Sequence, residues 1–191
     1  MNTSEELFRI QTEQAQKCAC DLKTLATQAV FGHGSPKAQI VFIGEAPGAK
    51  EDKEGLPFIG SAGKILSELL ESIGLSREKV YITNIVKYRP PNNRDPLPQE
   101  KLDCAQWLCA ELAYIQPKLI VFLGRHSLNH FFPDMQIGAV HGQLFEAEIP
   151  GIPTRHFLPL YHPASSIYNR NLRTVLFEDF KKIPALLKKI K

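Results

Sequence analysis

Four side chains with separate chemical abilities follow the apolar runs of this sequence. They are a carboxylate in "GEAPG" (Glu45), a phenyl ring a little further on (Phe58), a carboxamide in "TNIVKYRPPNNRDP" (Asn84) and an imidazole in "YHPASSIYNRN" (His162). The same and adjoining segments carry the cations Lys87, Arg89, Arg94, Arg170 and Arg173. An aromatic ring, hydrogen-bonding groups and cations together suit a flat ligand with polar edges that is attached to a phosphate chain.

Each of these residues also has an ordinary structural interpretation. The "GEAPG" segment lacks the spacing of the GxGxxG and GxxxxGK[ST] nucleotide motifs, and alone it indicates a tight turn. Phe58 is typical of a core, Asn84 of a turn or helix cap, and a histidine before proline, such as His162, of a loop. All four fall at the ends of predicted strands on one edge of one sheet, which favours a single pocket.

Three apolar runs rich in β-branched residues predict buried parallel strands: "AQIVFIG" (38–44), "VYITNIV" (80–86) and "PKLIVFLG" (117–124). Between them, residues 61–79 and 96–116 carry Leu and Ile at helical spacing. Strands that alternate with helices imply right-handed crossovers and helices on both faces of an α/β sheet. Ligands bind such sheets at the carboxyl ends of the strands, which is where the four side chains fall.

The two ends of the chain predict further elements around this sheet. Residues 4–27 contain no Pro or Gly and predict a helix with a break near residues 18–20. Residues 142–160 predict two strands joined by the turn "PGIP", and the basic run 173–191 predicts a final helix.

Length and composition predict one domain over residues 1–191, with 43% hydrophobic residues. The net charge of +3, from 23 basic and 20 acidic residues, permits a polyanionic partner without requiring one. No apolar stretch approaches the roughly 20 residues of a membrane span, and the first residues lack the pattern of a signal peptide. We expect a cytoplasmic monomer with no membrane partner.

Three longer motifs carry a resemblance to a known family. The segments "GEAPGAKEDKEGLPFIGSAGKIL", "VYITNIVKYRPPNNRDP" and "YHPASSIYNRNLR" resemble the family 4 uracil-DNA glycosylases, in order and at the expected separations, and the similarity runs from about residue 31 to about residue 180. The resemblance implies a three-layer α/β/α sandwich around a central four-stranded parallel sheet. It also implies a monofunctional enzyme of base excision repair, which removes uracil from single- or double-stranded DNA and leaves an abasic site.

The resemblance also assigns the residues of a uracil pocket. It implies that the pocket is walled by Gly44, Glu45 and Ala46, and that Phe58 stacks on the base. It also implies that Asn84 reads the edge of the base and that His162 faces O2 of the uracil. A glycosylase must extrude its base, and a carboxamide can donate to uracil O4 and accept from N3–H. A donor from His162 would stabilise the departing anion. Glu45 would either favour the cationic sugar carbon or orient the attacking water, and both roles remain open.

DNA contacts are expected from the basic loops. Lys87, Arg89, Arg94, Arg170 and Arg173 are expected to contact phosphates. Ile167 or Tyr168 could enter the gap that the flipped base leaves, and we favour Ile167. No lysine of the motifs has an obvious place beside the sugar carbon, so we expect no Schiff-base lyase activity.

Three other functions fit parts of the pattern. A catalytically silent uracil-DNA binder would keep Phe58 and Asn84, but the presence of Glu45 and His162 argues against it. The related branch that binds uracil DNA covalently uses a histidine before the second long helix, and "KYRPPNNRDPLPQE" has none. A nucleotide-binding enzyme of doubly wound fold is compatible with fold analogy alone.

The cysteines depart from the family, whose members usually hold a [4Fe–4S] cluster on four thiolates. Cys20 and Cys104 match two ligand positions, whereas Lys17 and Tyr88 occupy the other two. The displaced Cys18 and Cys109 restore the count but not the spacing. We therefore expect no metal and no other cofactor, with the cysteines packed between the first helix and residues 97–115. We expect Tyr88 and the stem of Lys17 to fill the former cluster site.

Overall fold

Four parallel strands form the centre of the molecule, and two short antiparallel strands extend the sheet at its edges. The computed structural model describes residues 3–190. The strands within them are β1 (His33–Gly34), β2 (Ile40–Gly44), β3 (Tyr81–Asn84), β4 (Leu119–Leu123), β5 (Phe145–Glu146) and β6 (His156–Leu160). Across the sheet their order is β1-β3-β2-β4-β6-β5, with β3, β2, β4 and β6 parallel.

Helices cover both faces of this sheet. They are α1 (Thr3–Lys17), α2 (Leu22–Leu25), α3 (Ala49–Glu54), α4 (Ser61–Glu71), α5 (Pro98–Ile115), α6 (Arg125–Phe131), α7 (Ile137–Val140), α8 (Ser165–Tyr168) and α9 (Arg170–Lys189). Helices α4 and α9 pack on one face, and α1 and α5 pack on the other. The predicted α/β class and its three layers are therefore confirmed.

Strand β2 shows why its sequence is continuously apolar. All five of its residues are buried, and they alternate between the two cores. Ile40 and Phe42 contact the core under α4 and α9, whereas Val41 and Ile43 contact the core under α1 and α5. A strand that is covered on both faces has no solvent-facing position for a polar residue.

The predicted elements differ from the structure mainly at their ends. The first helix breaks after Lys17, as predicted, and the last helix begins at Arg170 rather than at residue 173. The prediction for residue 191 lies outside the described residues. The four parallel strands are confirmed, and the two strands predicted within residues 142–160 correspond to β5 and β6. The edge strand β1 was missed because it has only two residues and shows no apolar run. Among residues 3–190, no helix is both long and apolar enough to cross a membrane.

Candidate active site

The site begins where β2 and β3 end side by side. Gly44 is the register partner of Asn84 across these two strands. A Cβ atom at Gly44 would lie only 2.4 Å from Asn84 Oδ1 and 2.5 Å from Phe58 Cζ. Glycine is therefore required at position 44, because the carboxamide and the ring both close against its backbone.

The ring of Phe58 is held in place by its loop. Phe58 is buried, and its backbone is left-handed, with φ of 53°. Glu51 on α3 accepts hydrogen bonds from the backbone N–H groups of Ile59 at 3.0 Å and Gly60 at 2.7 Å. A Cβ atom at Gly63, in the first turn of α4, would clash with the carbonyl oxygen of Phe58. These contacts hold a backbone conformation that a phenylalanine rarely adopts.

Asn84 presents an unpaired acceptor to the pocket. Its side chain is 3% exposed, and no donor among residues 3–190 contacts its Oδ1 atom. Its backbone carbonyl accepts a hydrogen bond from Lys87 Nζ at 3.0 Å. A buried acceptor without a partner costs about 1–3 kcal/mol, which a ligand with a matching donor would offset.

His162 is a neutral hydrogen-bond donor in this geometry. Its Nδ1 atom accepts from the backbone N–H of Ala164 at 3.2 Å, so the neutral ring carries its proton on Nε2. Burial, with a smaller contribution from His126, lowers the pKa of His162 to about 4. Its ring centroid lies 5.7 Å from that of Phe58. At neutral pH the imidazole can therefore donate a hydrogen bond without carrying a charge.

These side chains line two neighbouring recesses. Ala46, Phe58, Asn84 and His162 border a cavity of about 420 Å³. Glu45 and His162 border a smaller one of about 220 Å³. His162 therefore faces both recesses, and the polar groups predicted from three separate loops lie at one edge of the sheet.

Glu45 is held in a partly buried, electrostatically unfavourable position. Burial, followed by the negative charge of Asp95, raises the pKa of its carboxyl to about 7. Its Oε1 atom has no hydrogen-bond partner among the described residues. A carboxyl that titrates near neutrality is suited to accept a proton or to alternate between neutral and anionic forms.

A histidine that sequence reasoning missed lies beside Glu45. His126 Nδ1 is 3.5 Å from Glu45 Oε1, and His126 Nε2 is 3.4 Å from Asp95 Oδ2. One ring nitrogen of His126 and one carboxylate oxygen each of Glu45 and Asp95 all lie within 4.8 Å of one another. His126 belongs to "GRHS", directly after the third parallel strand. This position at the carboxyl end of a strand is the sequence feature that could have predicted its place in the site.

The prediction that Lys87 contacts phosphate is wrong. Lys87 is completely buried, and its ammonium group lies 2.6 Å from Oε2 of Glu111, which is also completely buried. Tyr81 donates to Oε1 of Glu111 at 2.8 Å, and Thr83 donates to Oε2 at 3.0 Å. The charge at position 87 is neutralised inside the protein, because the side chain turns under the sheet towards α5.

The other predicted DNA-contacting residues are at the surface, but two of them are already paired. Arg94 forms an ion pair with Glu100, and Arg173 forms one with Glu68. Arg89 donates to the side chain of Asn93. The remaining predicted residues are exposed: Arg170 at the start of α9, and Ile167 and Tyr168 in α8.

Three of the four cysteines converge near the short segment that links α1 to α2. Cys18, Cys20 and Cys104 belong to one buried cluster with Tyr88. A hydrogen bond with Cys104 lowers the pKa of Cys18 to about 6. Burial, followed by the negative charges of nearby thiolates, raises the pKa of Tyr88 to about 12.

Cys109 and Lys17 do not take part in this cluster. Cys109 packs against a different core cluster, which includes Leu7 of α1 and Leu108 of α5. Lys17 is 65% exposed and pairs with Glu13, so its stem does not fill the site. Three thiols and a buried phenol do not supply the four thiolates of a [4Fe–4S] site.

Comparison with known proteins gives the same class as the motifs and the geometry. Residues 31–187 match the family described as the Uracil DNA glycosylase superfamily. The chain belongs to this superfamily. It is 48% identical to the type-4 uracil-DNA glycosylase of Archaeoglobus fulgidus over 172 residues. The aligned region covers 87% of this chain and 86% of that protein.

Two further relatives have the same name. The type-4 uracil-DNA glycosylase of Sulfurisphaera tokodaii is 47% identical over 193 residues, which cover 95% of this chain and 85% of that protein. That of Thermotoga maritima is 43% identical over 195 residues, with 99% of each chain covered. The resemblance identified from the motifs is therefore confirmed.

Proposed function

We propose that this chain is a uracil-DNA glycosylase of DNA repair that extrudes uracil from DNA and hydrolyses its N-glycosidic bond. The observation that carries the proposal is the unpaired, buried Oδ1 of Asn84 beside the ring of Phe58. The enzyme is a hydrolase that acts on N-glycosyl bonds and begins base excision repair by leaving an abasic site. All groups of the proposed site come from one chain, and the enzyme acts as a monomer.

Asn84 and Phe58 recognise the extruded base. The Oδ1 atom of Asn84 accepts from uracil N3–H, and its amide nitrogen donates to O4. Cytosine has an unprotonated N3 and an amino group at these positions, so it would leave buried groups unpaired. Phe58 stacks on the ring face, and Gly44 and Ala46 allow the backbone to close around the base.

His162 stabilises the leaving group. Bond cleavage places negative charge on the uracil, and the Nε2–H of His162 donates to O2 as this charge develops. A neutral donor fits the low pKa of His162, since the ring need not bind a proton before the reaction. Removal of a donor that acts on a developing oxyanion typically slows turnover by about 10²–10³-fold.

Glu45 acts at the sugar. As an anion it favours the cationic C1′, and as a hydrogen-bond acceptor it orients the attacking water. Either role requires the ionised carboxylate, which forms as the pH rises through the pKa of about 7. The proposed mechanism forms no covalent bond between the sugar and a lysine. Of the motif lysines, Lys87 is buried against Glu111, and Lys50 borders the larger recess.

The DNA strand crosses the surface next to α8 and the start of α9. Exposed Arg170 and half-buried Arg89 contact phosphates, and Arg94 can do so beside its partner Glu100. Ile167, which is 46% exposed, fills the gap left by the base. Tyr168, which is 90% exposed, is the alternative wedge, and separate alanine variants distinguish the two.

The enzyme also works without a [4Fe–4S] cluster. This part of the proposal is supported by the phenol at position 88, the exposed amine at position 17 and the packing of Cys109 in a different cluster from the other thiols. A cluster would require four soft thiolate ligands in one place. Packing of Tyr88 against Trp107, with ring centroids 6.2 Å apart, stabilises this part of the fold instead.

An oligonucleotide with one uracil tests the function directly. We expect free uracil to be released, and strand breaks to form only after heating in alkali. Matched oligonucleotides with cytosine or thymine serve as controls and should remain intact. Breaks before alkali treatment would indicate a lyase, retention of DNA without uracil release would indicate a binding protein, and either result would overturn the proposal.

A further inference from the structure

His126 lies between two carboxylates at the edge of the proposed site. It is in the first turn of α6, directly after β4, and its side chain is 24% exposed. Nδ1 faces Oε1 of Glu45 at 3.5 Å, and Nε2 faces Oδ2 of Asp95 at 3.4 Å. The ring therefore connects a carboxylate of the site with one on the loop that precedes α5.

A neighbouring arginine fixes which nitrogen carries the proton. The Nε–H of Arg125 donates to His126 Nε2 at 3.0 Å, which requires Nε2 to be unprotonated. This contact is shorter than the 3.4 Å separation from Asp95, so it decides the tautomer. Burial lowers the pKa of His126, which favours the neutral ring. The single ring proton is then on Nδ1 and faces Glu45.

We propose that His126 is a positioning residue that donates a hydrogen bond from Nδ1 to Oε1 of Glu45 and so holds that carboxylate ionised and correctly oriented. The proposal rests on the proposed glycosylase function. The 3.5 Å separation is longer than a hydrogen bond and closes with a movement of about 0.5 Å. Catalytic hydrogen bonds commonly tighten in this way when substrate binds.

The geometry also gives the two carboxylate oxygens of Glu45 different roles. Oε1 has no other partner among the described residues, so the donor from His126 meets an otherwise unpaired buried acceptor. Oε2 then remains free for the sugar carbon or the attacking water. Four other groups face this pair from the packed elements: Asp95 before α5, Lys101 on α5, Arg125 on α6 and His162 after β6.

The direction of the effect on Glu45 follows from the charges. A donor stabilises the ionised carboxylate and lowers its pKa, whereas the negative charge of Asp95 raises it. Removing His126 should therefore move the acidic limb of the rate profile to higher pH. Removing the charge of Asp95 should move that limb to lower pH. Opposite shifts from two neighbours of one carboxyl would not arise from general loosening of the site.

The test measures single-turnover uracil release between pH 5 and 9. In His126→Ala we expect the acidic limb to move up in pH and the rate below pH 7 to fall by about tenfold, with DNA affinity unchanged. His126→Asn places an amide donor near the position of Nδ1 and should restore most of the rate and the position of the limb. Asp95→Asn should move the limb the other way.

His130 provides a matched control one turn along the same helix. Burial lowers the pKa of His130 to about 4, and its ring packs against Phe131 with centroids 4.7 Å apart. His130→Asn should leave the acidic limb in place. An equal shift in this variant would show that changes anywhere in α6 produce the effect, and the inference would be overturned.

A second measurement separates this inference from the proposed function. In protein labelled with ¹³C at glutamate carboxyls, the Glu45 signal is assigned from its loss in Glu45→Gln and titrated without DNA. We expect a midpoint near 7 in the wild type, a higher midpoint in His126→Ala and a near wild-type midpoint in His126→Asn. The same midpoint in wild type and His126→Ala would refute the contact, whether or not uracil is released.

Discussion

The ammonium group of Lys87 lies 2.6 Å from Oε2 of Glu111, and neither side chain is exposed. Lys87 also donates to the backbone carbonyl of Asn84 at 3.0 Å. The pair therefore connects the helix α5 to the end of the strand that presents the base-reading carboxamide. A cation that sequence reasoning assigned to DNA instead supports the floor of the pocket.

Lys87→Met should destabilise the fold strongly. The change leaves the carboxylate of Glu111 buried without its cationic partner, which typically costs about 3–5 kcal/mol. Chemical denaturation should show this loss in the free energy of unfolding. Arg89→Met is the matched control, because Arg89 is partly exposed, and we expect an effect within about 0.5 kcal/mol. Equal stability of the two variants would contradict the buried ion pair.

The salt dependence of DNA binding distinguishes the same lysine from a surface cation. Arg170→Ala should reduce the slope of log affinity against log salt by about one, as expected when one phosphate contact is lost. Lys87→Met, measured under conditions where it remains folded, should keep the wild-type slope. A reduced slope in Lys87→Met would mean that the lysine reaches DNA after all.

Asn84→Asp should relax selectivity towards cytosine. A carboxylate loses the donor to uracil O4 and gains an acceptor for the amino group of cytosine. Release of both bases from matched oligonucleotides measures the ratio, which should fall by at least about tenfold, chiefly through slower uracil release. Unchanged discrimination would exclude Asn84 as the residue that reads the base edge.

Glu45 should set the pH dependence of turnover. Its carboxyl has a raised pKa of about 7, so the active anion is lost as the pH falls through that value and the rate should drop about tenfold per unit below it. His162, with a pKa near 4, remains neutral throughout this range. Glu45→Gln should be slow and lack this limb; if the limb persists in the variant, another group titrates.

Glu45→Ala and His162→Ala should each lower turnover far more than DNA affinity. Both groups act mainly on charge that develops during bond cleavage, so the loss should be in kcat, by about 10²-fold or more. Single-turnover rates and equilibrium binding, measured on the same oligonucleotide, separate the two effects. A variant that loses activity only through weaker binding would not carry a catalytic group at that position.

Protein purified without oxygen should be colourless and contain no stoichiometric iron or acid-labile sulfide. The reason is that Tyr88 and exposed Lys17 occupy two positions where the family pattern requires thiolates. Iron and sulfide analysis provides the measurement. A brown protein with about four irons per chain, lost in Cys18→Ser, would contradict this prediction and show that the displaced cysteine has taken over ligation.

The sequence predicts the central fold because its signals are local. Continuous apolar runs such as Ile40–Gly44 and helical spacing in Ser61–Glu71 are visible without any knowledge of distant partners. The convergence of Asn84 and His162 follows from a general property of parallel sheets, since the carboxyl ends of the strands meet at one edge. No similar rule exists for a strand of two residues such as His33–Gly34, and β1 was missed.

The errors concern the direction of single side chains. Lys87 has the charge of a phosphate contact, but its partner Glu111 is 24 residues further along the chain, and only the folded structure brings them together. The position of His126 beside Glu45 also depends on how β4 and β2 pair. Charge is visible in a sequence, whereas the partner that neutralises it is not.

The unpaired Oδ1 of Asn84 has a thermodynamic consequence for the empty enzyme. Without ligand, this buried acceptor has no donor among residues 3–190, and a molecule that presents an N–H group there gains affinity from pairing with it. The released base keeps that N–H group, so the product should bind the free enzyme and raise its melting temperature in proportion to the logarithm of its concentration. The atom that selects the substrate therefore also slows product release.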